Sequence, residues 1–100
     1  MIRGGYVYIM TNKYNDVLYT GVTSQLRNRI YEHKINFYPG SFTSRYQTHK
    51  LVYYESFEYI EEAIDREKQI KGCSRKRKIE LINKMNHQWE DLFDQIPIGE

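Results

Sequence analysis

Two runs rich in strand-forming residues, separated by a handful of turn residues, restrict the start of this chain more than any other feature. Tyr6-Val7-Tyr8-Ile9-Met10 and Val17-Leu18-Tyr19-Thr20 are both β-prone, and Asn12-Lys13-Tyr14-Asn15-Asp16 between them carries turn chemistry. The pair predicts a β-hairpin. A loop over Asn12 to Asn15 would set Thr11 opposite Asp16, Met10 opposite Val17 and Tyr8 opposite Tyr19. That register places two phenols together on one face, and a slip of one residue would separate them.

Beyond Gly21 the apolar period changes from that of a strand to that of a helix. A first helix is expected from about Gln25 to Asn36, capped by Ser24, with Leu26 and Ile30 inward and Arg29 and His33 four apart on a neighbouring face. Pro39-Gly40-Ser41 reads as loop and Leu51-Val52-Tyr53-Tyr54 as a third strand. A second helix spans about Tyr59 to Lys71 and stops at Gly72, a suitable residue for C′. A third, capped by Ser74, runs to about Met85 with Ile79 and Ile82 inward. Trp89, Leu92, Phe93 and Ile96 should pack the C-terminal segment back on the body. The order ββαβαα implies an α+β domain, a three-stranded, mostly antiparallel sheet flanked by about three helices. One domain over 1–100 is expected, with a core of about 4–86 and a packing segment of 87–100.

Size and charge narrow the function. A chain of 100 residues buries roughly 65% of its unfolded surface, enough for one core. No apolar run reaches the roughly 20 residues of a membrane span, the first residues lack a signal-peptide stretch, and the single Cys73 suits a reducing compartment; a cytoplasmic protein without a membrane partner is expected. Net charge is only +2, but its placement is uneven: the first fifty residues hold seven Lys/Arg against two acids, Asp16 and Glu32. In the second half bases gather at Lys68, Lys71 and Arg75 to Lys78, so a polyanion could meet a basic face.

Glu67 is the least ordinary residue of the second helix. The inner stripe reads Ile60, Ala63, Ile64, Glu67 and then Ile70 or Lys71, so a carboxylate falls where an apolar residue belongs. Partial burial there costs on the order of several kcal/mol unless a positive group compensates. A metal ion, Arg29, or a rim ion pair with Lys71 or Arg66 would serve. Tyr8 and Tyr19 pose the complementary problem. A free phenol is about 0.1% ionised at neutral pH, a handicap of roughly 4 kcal/mol for a general base, unless a cation such as Arg29 offsets it. His49 and His87 are in no ligand spacing with His33, so a histidine-cysteine zinc site is not expected, and neither a phosphate-binding glycine loop nor a dinucleotide fingerprint occurs. What remains suits metal-assisted phosphodiester hydrolysis.

Those residues, in that order, resemble the GIY-YIG nuclease superfamily, and the likeness covers nearly the whole chain. It is carried by Gly5-Tyr6-Val7-Tyr8-Ile9, Tyr19-Thr20-Gly21-Val22-Thr23, Leu26 to His33, Leu51 to Glu55, Ala63 to Gly72 and Trp89 to Leu92, and is strongest with small stand-alone bacterial members. The resemblance implies that Tyr8 or Tyr19 helps deprotonate the attacking water and that Arg29 holds the scissile phosphate. It makes His33 a proton relay or phosphate donor and Glu67 the ligand of one divalent metal, Mg²⁺ before Mn²⁺. Gly21 would let a backbone or a phosphate come close, and Asn86 is a candidate further active-site group. The chain departs from the pattern where its first-motif glycine is displaced to Gly5, where Val22 stands in place of a lysine, and where Phe42-Thr43 replaces a Tyr-Thr pair. Arg27, Arg45, Lys71, Arg75, Lys76 and Arg77 are candidate phosphate contacts. Nucleic acid, DNA before RNA, is the implied partner, and a second protein that delivers it is a further candidate partner. Alternatives are a nucleic-acid-binding module that has lost its chemistry and a protein-interaction domain.

Overall fold

The computed structural model describes residues 3–97; positions 1–2 and 98–100 of the expected domain lie outside the described residues. The elements are β1 (Arg3–Thr11), β2 (Leu18–Thr23), α1 (Leu26–Lys34), α2 (Phe42–Arg45), β3 (Lys50–Tyr59), α3 (Ile60–Lys71), α4 (Arg75–Met85) and a 3₁₀ turn at Phe93–Gln95. The sheet has the order β2-β1-β3 with both pairings antiparallel, so the α+β architecture expected from the sequence is the one observed.

The hairpin register differs from the expected one by two residues: Thr11 pairs with Leu18, Met10 with Tyr19 and Tyr8 with Gly21. The loop is longer because it closes on itself. Asn12 Oδ1 accepts from the Asp16 N–H at 3.0 Å, the Thr11 hydroxyl donates to the Val17 carbonyl at 2.7 Å, and Asn15 takes the left-handed conformation with φ 60°. A shift of two keeps the alternation of faces, so Tyr8 and Tyr19 still share a face, now as diagonal neighbours.

β1 is the middle strand and is covered on both sides, which explains why its sequence is almost continuously apolar. On one side Val7 and Ile9 pack with Val52, Tyr53, Ala63, Ile70 and Ile82, beneath α3 and α4. On the other, Tyr8, Met10 and Leu51 pack with Leu26 and Ile30 of α1 and with Leu92 and Ile96 of the C-terminal segment. An irregularity between Ile9 and Met10, which face Tyr53 and Leu51, leaves Val52 as the extra residue of β3 and turns both Val52 and Tyr53 to the α3 side. The C-terminal segment is fastened to β3: Leu51 donates to Asp91 Oδ1 at 3.2 Å and accepts from the Leu92 N–H at 2.8 Å.

Local details of the helices depart from expectation for identifiable reasons. α1 begins at Leu26 with Gln25 as its cap, since the Gln25 N–H is taken by the Thr23 hydroxyl at 3.0 Å and Ser24 makes no cap bond. α2 is a single turn, capped by Ser41, in the stretch read as loop. α3 starts directly from β3, the Tyr59 N–H being met by the Glu62 carboxylate at 3.2 Å. Its buried stripe is narrower than expected: Ala63 and Ile70 are sealed, whereas Ile64 is exposed. The helix comes this close because β1 offers no side chain at Gly5, where a Cβ would stand 2.8 Å from Ile60 Cα. α4 is capped by Ser74, as expected, and sends Ile82 into the core while Ile79 is half-buried. Among the described residues no helix is long and apolar enough to cross a membrane.

Two glycine substitutions separate these roles. Gly72 was expected to need left-handed freedom but ends α3 with φ −78°, and a Cβ there meets nothing closer than 3.5 Å. Gly72→Ala should therefore stabilise by about 0.4–1 kcal/mol in urea unfolding. Gly5→Ala, pressing on helix backbone, should cost about 1–3 kcal/mol.

Candidate active site

The face of the sheet that carries Tyr8 and Tyr19 looks toward α1, and α1 sends Arg29 and His33 to meet them. The reason is periodic. Leu26 and Ile30 anchor α1 on the sheet, and His33, at i+3 from Ile30, continues that stripe inward; Arg29, one residue before Ile30, stays at the rim, 41% exposed. The rings of Tyr8, Tyr19 and His33 form a triangle with centroid separations of 6.2, 5.8 and 5.7 Å. Phe42 of α2 closes one side of it, 5.6 Å from the Tyr19 ring.

A line of hydrogen bonds runs through the buried part of this cluster. The Tyr8 hydroxyl lies 2.9 Å from His33 Nε2, and His33 Nδ1 lies 2.9 Å from the Thr43 hydroxyl. Ser41 Oγ is 3.2 Å beyond, on Thr43. Neutral imidazole has one donor and one acceptor nitrogen, so the protons along Tyr8, His33 and Thr43 must all point the same way, in either of two directions, since both hydroxyls can donate or accept. Thr43 thereby fixes the orientation of the ring. Its only trace in the sequence is the Phe42-Thr43 pair, and neither residue was singled out as part of the site.

Burial dominates the protonation of both ends. It pushes the Tyr8 phenol well above its ordinary value, with Tyr19 adding to the rise and Arg29 opposing it. His33 is pulled down to about 4, first by burial, then by Arg29 and His49. Phenol and imidazole are therefore both neutral at pH 7.

Gly21 belongs to the same construction. A Cβ at this position would stand 2.4 Å from the Tyr8 hydroxyl and 2.5 Å from its ring carbon. The space expected to admit a backbone or phosphate is filled by the phenol of Tyr8. Arg29 carries its own counter-ion, Glu32, at 3.2 Å, beside a cavity of about 120 Å³ between the end of β2 and the first turn of α1.

Glu67 stands apart from these four. It rises from α3, which packs under the opposite face of the sheet, and its carboxylate, 14% exposed, holds the Lys71 ammonium at 3.0 Å. Of the compensating groups expected for it, Lys71 is the one in contact. Among the described residues no group of three or more His, Cys, Asp or Glu side chains converges to hold a metal ion.

The basic residues divide similarly. Arg27 is committed to the C-terminal segment, donating to the Ile96 carbonyl at 3.2 Å and lying over the Phe93 ring at 4.7 Å. Arg75 donates to the Asp16 carbonyl at 2.9 Å and Arg77 is 3.6 Å from Glu80, while Arg45 and Lys76 are exposed. Asn86 is a structural staple: buried behind β3, it donates to the carbonyls of Val52 and Glu90 and accepts from the Glu90 N–H. A substrate would find no free group on it.

A small antiparallel sheet with a tyrosine on each of two neighbouring strands, facing a helix with arginine and histidine four apart, is the arrangement of one class of nuclease domain. The chain belongs to that class, the GIY-YIG family, whose catalytic-domain model matches residues 4–83. Within it the chain is similar to a UPF0213 protein of Clostridium perfringens, 38% identical over 91 residues that cover 91% of this chain and 96% of the relative. A UPF0213 protein of Syntrophus aciditrophicus is 36% identical over 77 residues, 77% and 87% of the two chains. The solution NMR structure of a UPF0213 protein from Bacillus halodurans matches with a TM-score of 0.56 at 30% identity, over 88% of this chain and 92% of that one.

The lowered His33 has a consequence for stability. Between about 6.5 and about 4 the unfolded chain binds a proton on this histidine and the folded chain does not, so stability falls as pH drops through that window. His49, also lowered by burial, has the same sign. Urea midpoints at pH 7 and pH 5 should show a loss in the wild type that His33→Gln reduces; equal losses in both proteins would refute the assignment.

Proposed function

We propose that this chain is a metal-dependent endonuclease that hydrolyses phosphodiester bonds of nucleic acid, DNA before RNA, and selects substrate by shape more than by sequence. The observation that carries the reading is the buried line Tyr8–His33–Thr43 beside Tyr19 and Arg29. A structural tyrosine needs a partner for its hydroxyl, but it does not need an imidazole held in place by a third residue.

In the reading we favour, Tyr8 works without ever becoming a phenolate. Its hydroxyl takes the proton of the attacking water while passing its own to His33 Nε2, and Nδ1–H stays on Thr43. A phenolate in this position would meet the full cost of burial, which a concerted transfer avoids. Arg29 receives the scissile phosphate, exchanging Glu32 for it. Tyr19, half-buried at the rim, orients the water or the phosphate.

Glu67 fits a hard divalent cation. It is a partly dry carboxylate that already holds a positive charge, and one carboxylate suffices for Mg²⁺ or Mn²⁺, which keep much of their shell as water. When bound, such an ion supplies Lewis-acid polarisation of the phosphoryl group and a more acidic water. Arg45, Lys76 and, after exchange of their present partners, Lys71, Arg75 and Arg77 would track the backbone. Arg27 would act indirectly, by holding the C-terminal segment. With a net charge of +2 the chain grips polyanions weakly, which fits a cytoplasmic protein to which a partner delivers substrate.

A cleavage assay with and without Mg²⁺, over duplex, single-stranded, flapped and branched DNA and RNA, tests this. Wild type should cut only with the metal, Arg29→Ala should be about 10²–10³ slower, and Tyr8→Phe and Glu67→Ala should be inactive. Salt-sensitive binding without cutting would make the chain a binding module, and neither would point to a protein-interaction domain. Glu67→Ala should also change unfolding free energy by less than about 1 kcal/mol, since Lys71 is 55% exposed and the pair is screened. A larger loss in metal-free buffer would make Glu67 a structural ion-pair residue.

A further inference from the structure

A second hollow lies outside the tyrosine–histidine cluster: a cleft of about 540 Å³ bordered by the β1–β2 loop, the end of α1, the end of α2 and the start of β3. A volume of this size holds a small ligand of nucleotide dimensions. Two tyrosines line it, Tyr14 in the hairpin loop and Tyr46 after α2, and both present ring surface to solvent, Tyr14 at 72% exposure. Three lysines line it as well. Lys34 is already engaged, by the His49 carbonyl and by Asp91. Asp91, the one carboxylate of the lining, also accepts from the N–H groups of Leu51 and Phe93. Among the lining residues this leaves Lys13 and Lys50 as positive charge that no lining carboxylate offsets, with the Lys13 ammonium 5.0 Å from the centre of the Tyr14 ring.

Exposed rings beside uncompensated ammonium groups suit one chemistry in particular. A base has a flat face to lay on a phenol, and its phosphate has charge to place on a lysine. An apolar protein partner would have no use for the lysines, and a stacked duplex cannot turn a base into the cleft. A row of packed rings links the cleft to the tyrosine–histidine cluster: the ring centre of Tyr46 lies 4.6 Å from that of Phe42, and that of Phe42 lies 5.6 Å from that of Tyr19.

We propose that this cleft is a binding site for an unpaired nucleotide of the strand being cut, its base stacked on Tyr14 or Tyr46 and its phosphate met by Lys13 and Lys50. The path of that strand, from the cleft along Phe42 to Tyr19 and Arg29, rests on the nuclease reading; binding in the cleft does not. The site makes a flap, a gap or a frayed end the preferred substrate, because only there is a base free to enter next to a scissile bond.

The test is fluorescence anisotropy in metal-free buffer, where nothing is cut, with labelled oligothymidylate of about eight nucleotides, within the span such sites cover. The matching oligouridylate and a duplex of equal length are run beside it. The single strands should bind more tightly than the duplex. Tyr14→Ala and Tyr46→Ala should each weaken single-strand binding by about 5- to 100-fold, and Lys13→Glu should flatten its salt dependence. Tyr14, on an exposed loop, can be replaced without disturbing the core. Unchanged single-strand affinity in Tyr14→Ala and Lys13→Glu, or equal affinity for duplex and single strand, overturns the site. If that happens while wild type still cleaves, the nuclease reading survives alone; if wild type cleaves nothing but binding depends on Tyr14, the cleft survives alone.

Discussion

Tyr8 sits in the middle of the middle strand, 1% exposed, and a phenol there must either find a partner for its hydroxyl or forfeit the hydrogen bonds water would have given it. Two features make its position tenable. Gly21 on the neighbouring strand leaves out the Cβ that would otherwise fall against the ring, and His33 from α1 reaches across to the hydroxyl. From that contact the rest of the site follows. His33 can reach only because Leu26 and Ile30 seat α1 on Tyr8, Met10 and Leu51, and it keeps its orientation only because α2 delivers Thr43 to its other nitrogen. Among the described residues no buried side-chain polar atom lacks a hydrogen-bond partner, so the cluster is built without an unsatisfied group. It is also neutral, as a cluster this dry must be.

Much of this was legible in the amino-acid sequence, and the places where it was not share a cause. Strand and helix identity came through because β1 and α3 have strong local patterns, and the order ββαβαα followed. The hairpin register was misjudged because it is set by the bonds Asn12 and Thr11 make within the loop, which strand propensity does not record. The pairing of the two tyrosine faces survived only because the error was an even number of residues. α2 was missed since one turn of helix has no period to detect, and with it went Thr43, whose role exists only once α2 and α1 are packed. Arg27 reads as a phosphate contact from its residue type, and Asn86 as a further active-site group from the family resemblance. Their actual partners are main-chain carbonyls 69 and 34 residues away, which no local pattern encodes.

The cations around the site share a property that bears on how such a domain would handle a polyanion. Arg29 is held by Glu32, Lys71 by Glu67, Arg77 by Glu80 and Arg66 by Glu55. Each pair with an exposed partner is worth little in water, about 0–1 kcal/mol, so exchanging the carboxylate for a phosphate costs little. The carboxylates keep the guanidinium and ammonium groups in place in the free protein without binding them tightly. On the nuclease reading, a surface of this kind would select a phosphate by its geometry and not by net charge, since most of its cations already have a counter-ion.

Glu67 belongs to α3, which packs on the other face of the sheet from α1, the helix that carries Arg29 and His33. β2 is an edge strand, and α3 passes beneath it while α1 lies above. On the nuclease reading, Arg29 and the two phenols stand on the α1 side of that edge and Glu67 on the α3 side, so a phosphodiester served by both would have to lie along the free edge of β2. Gly21 on that strand seats the buried phenol of Tyr8, and a side chain at this position would displace the ring before it met any substrate.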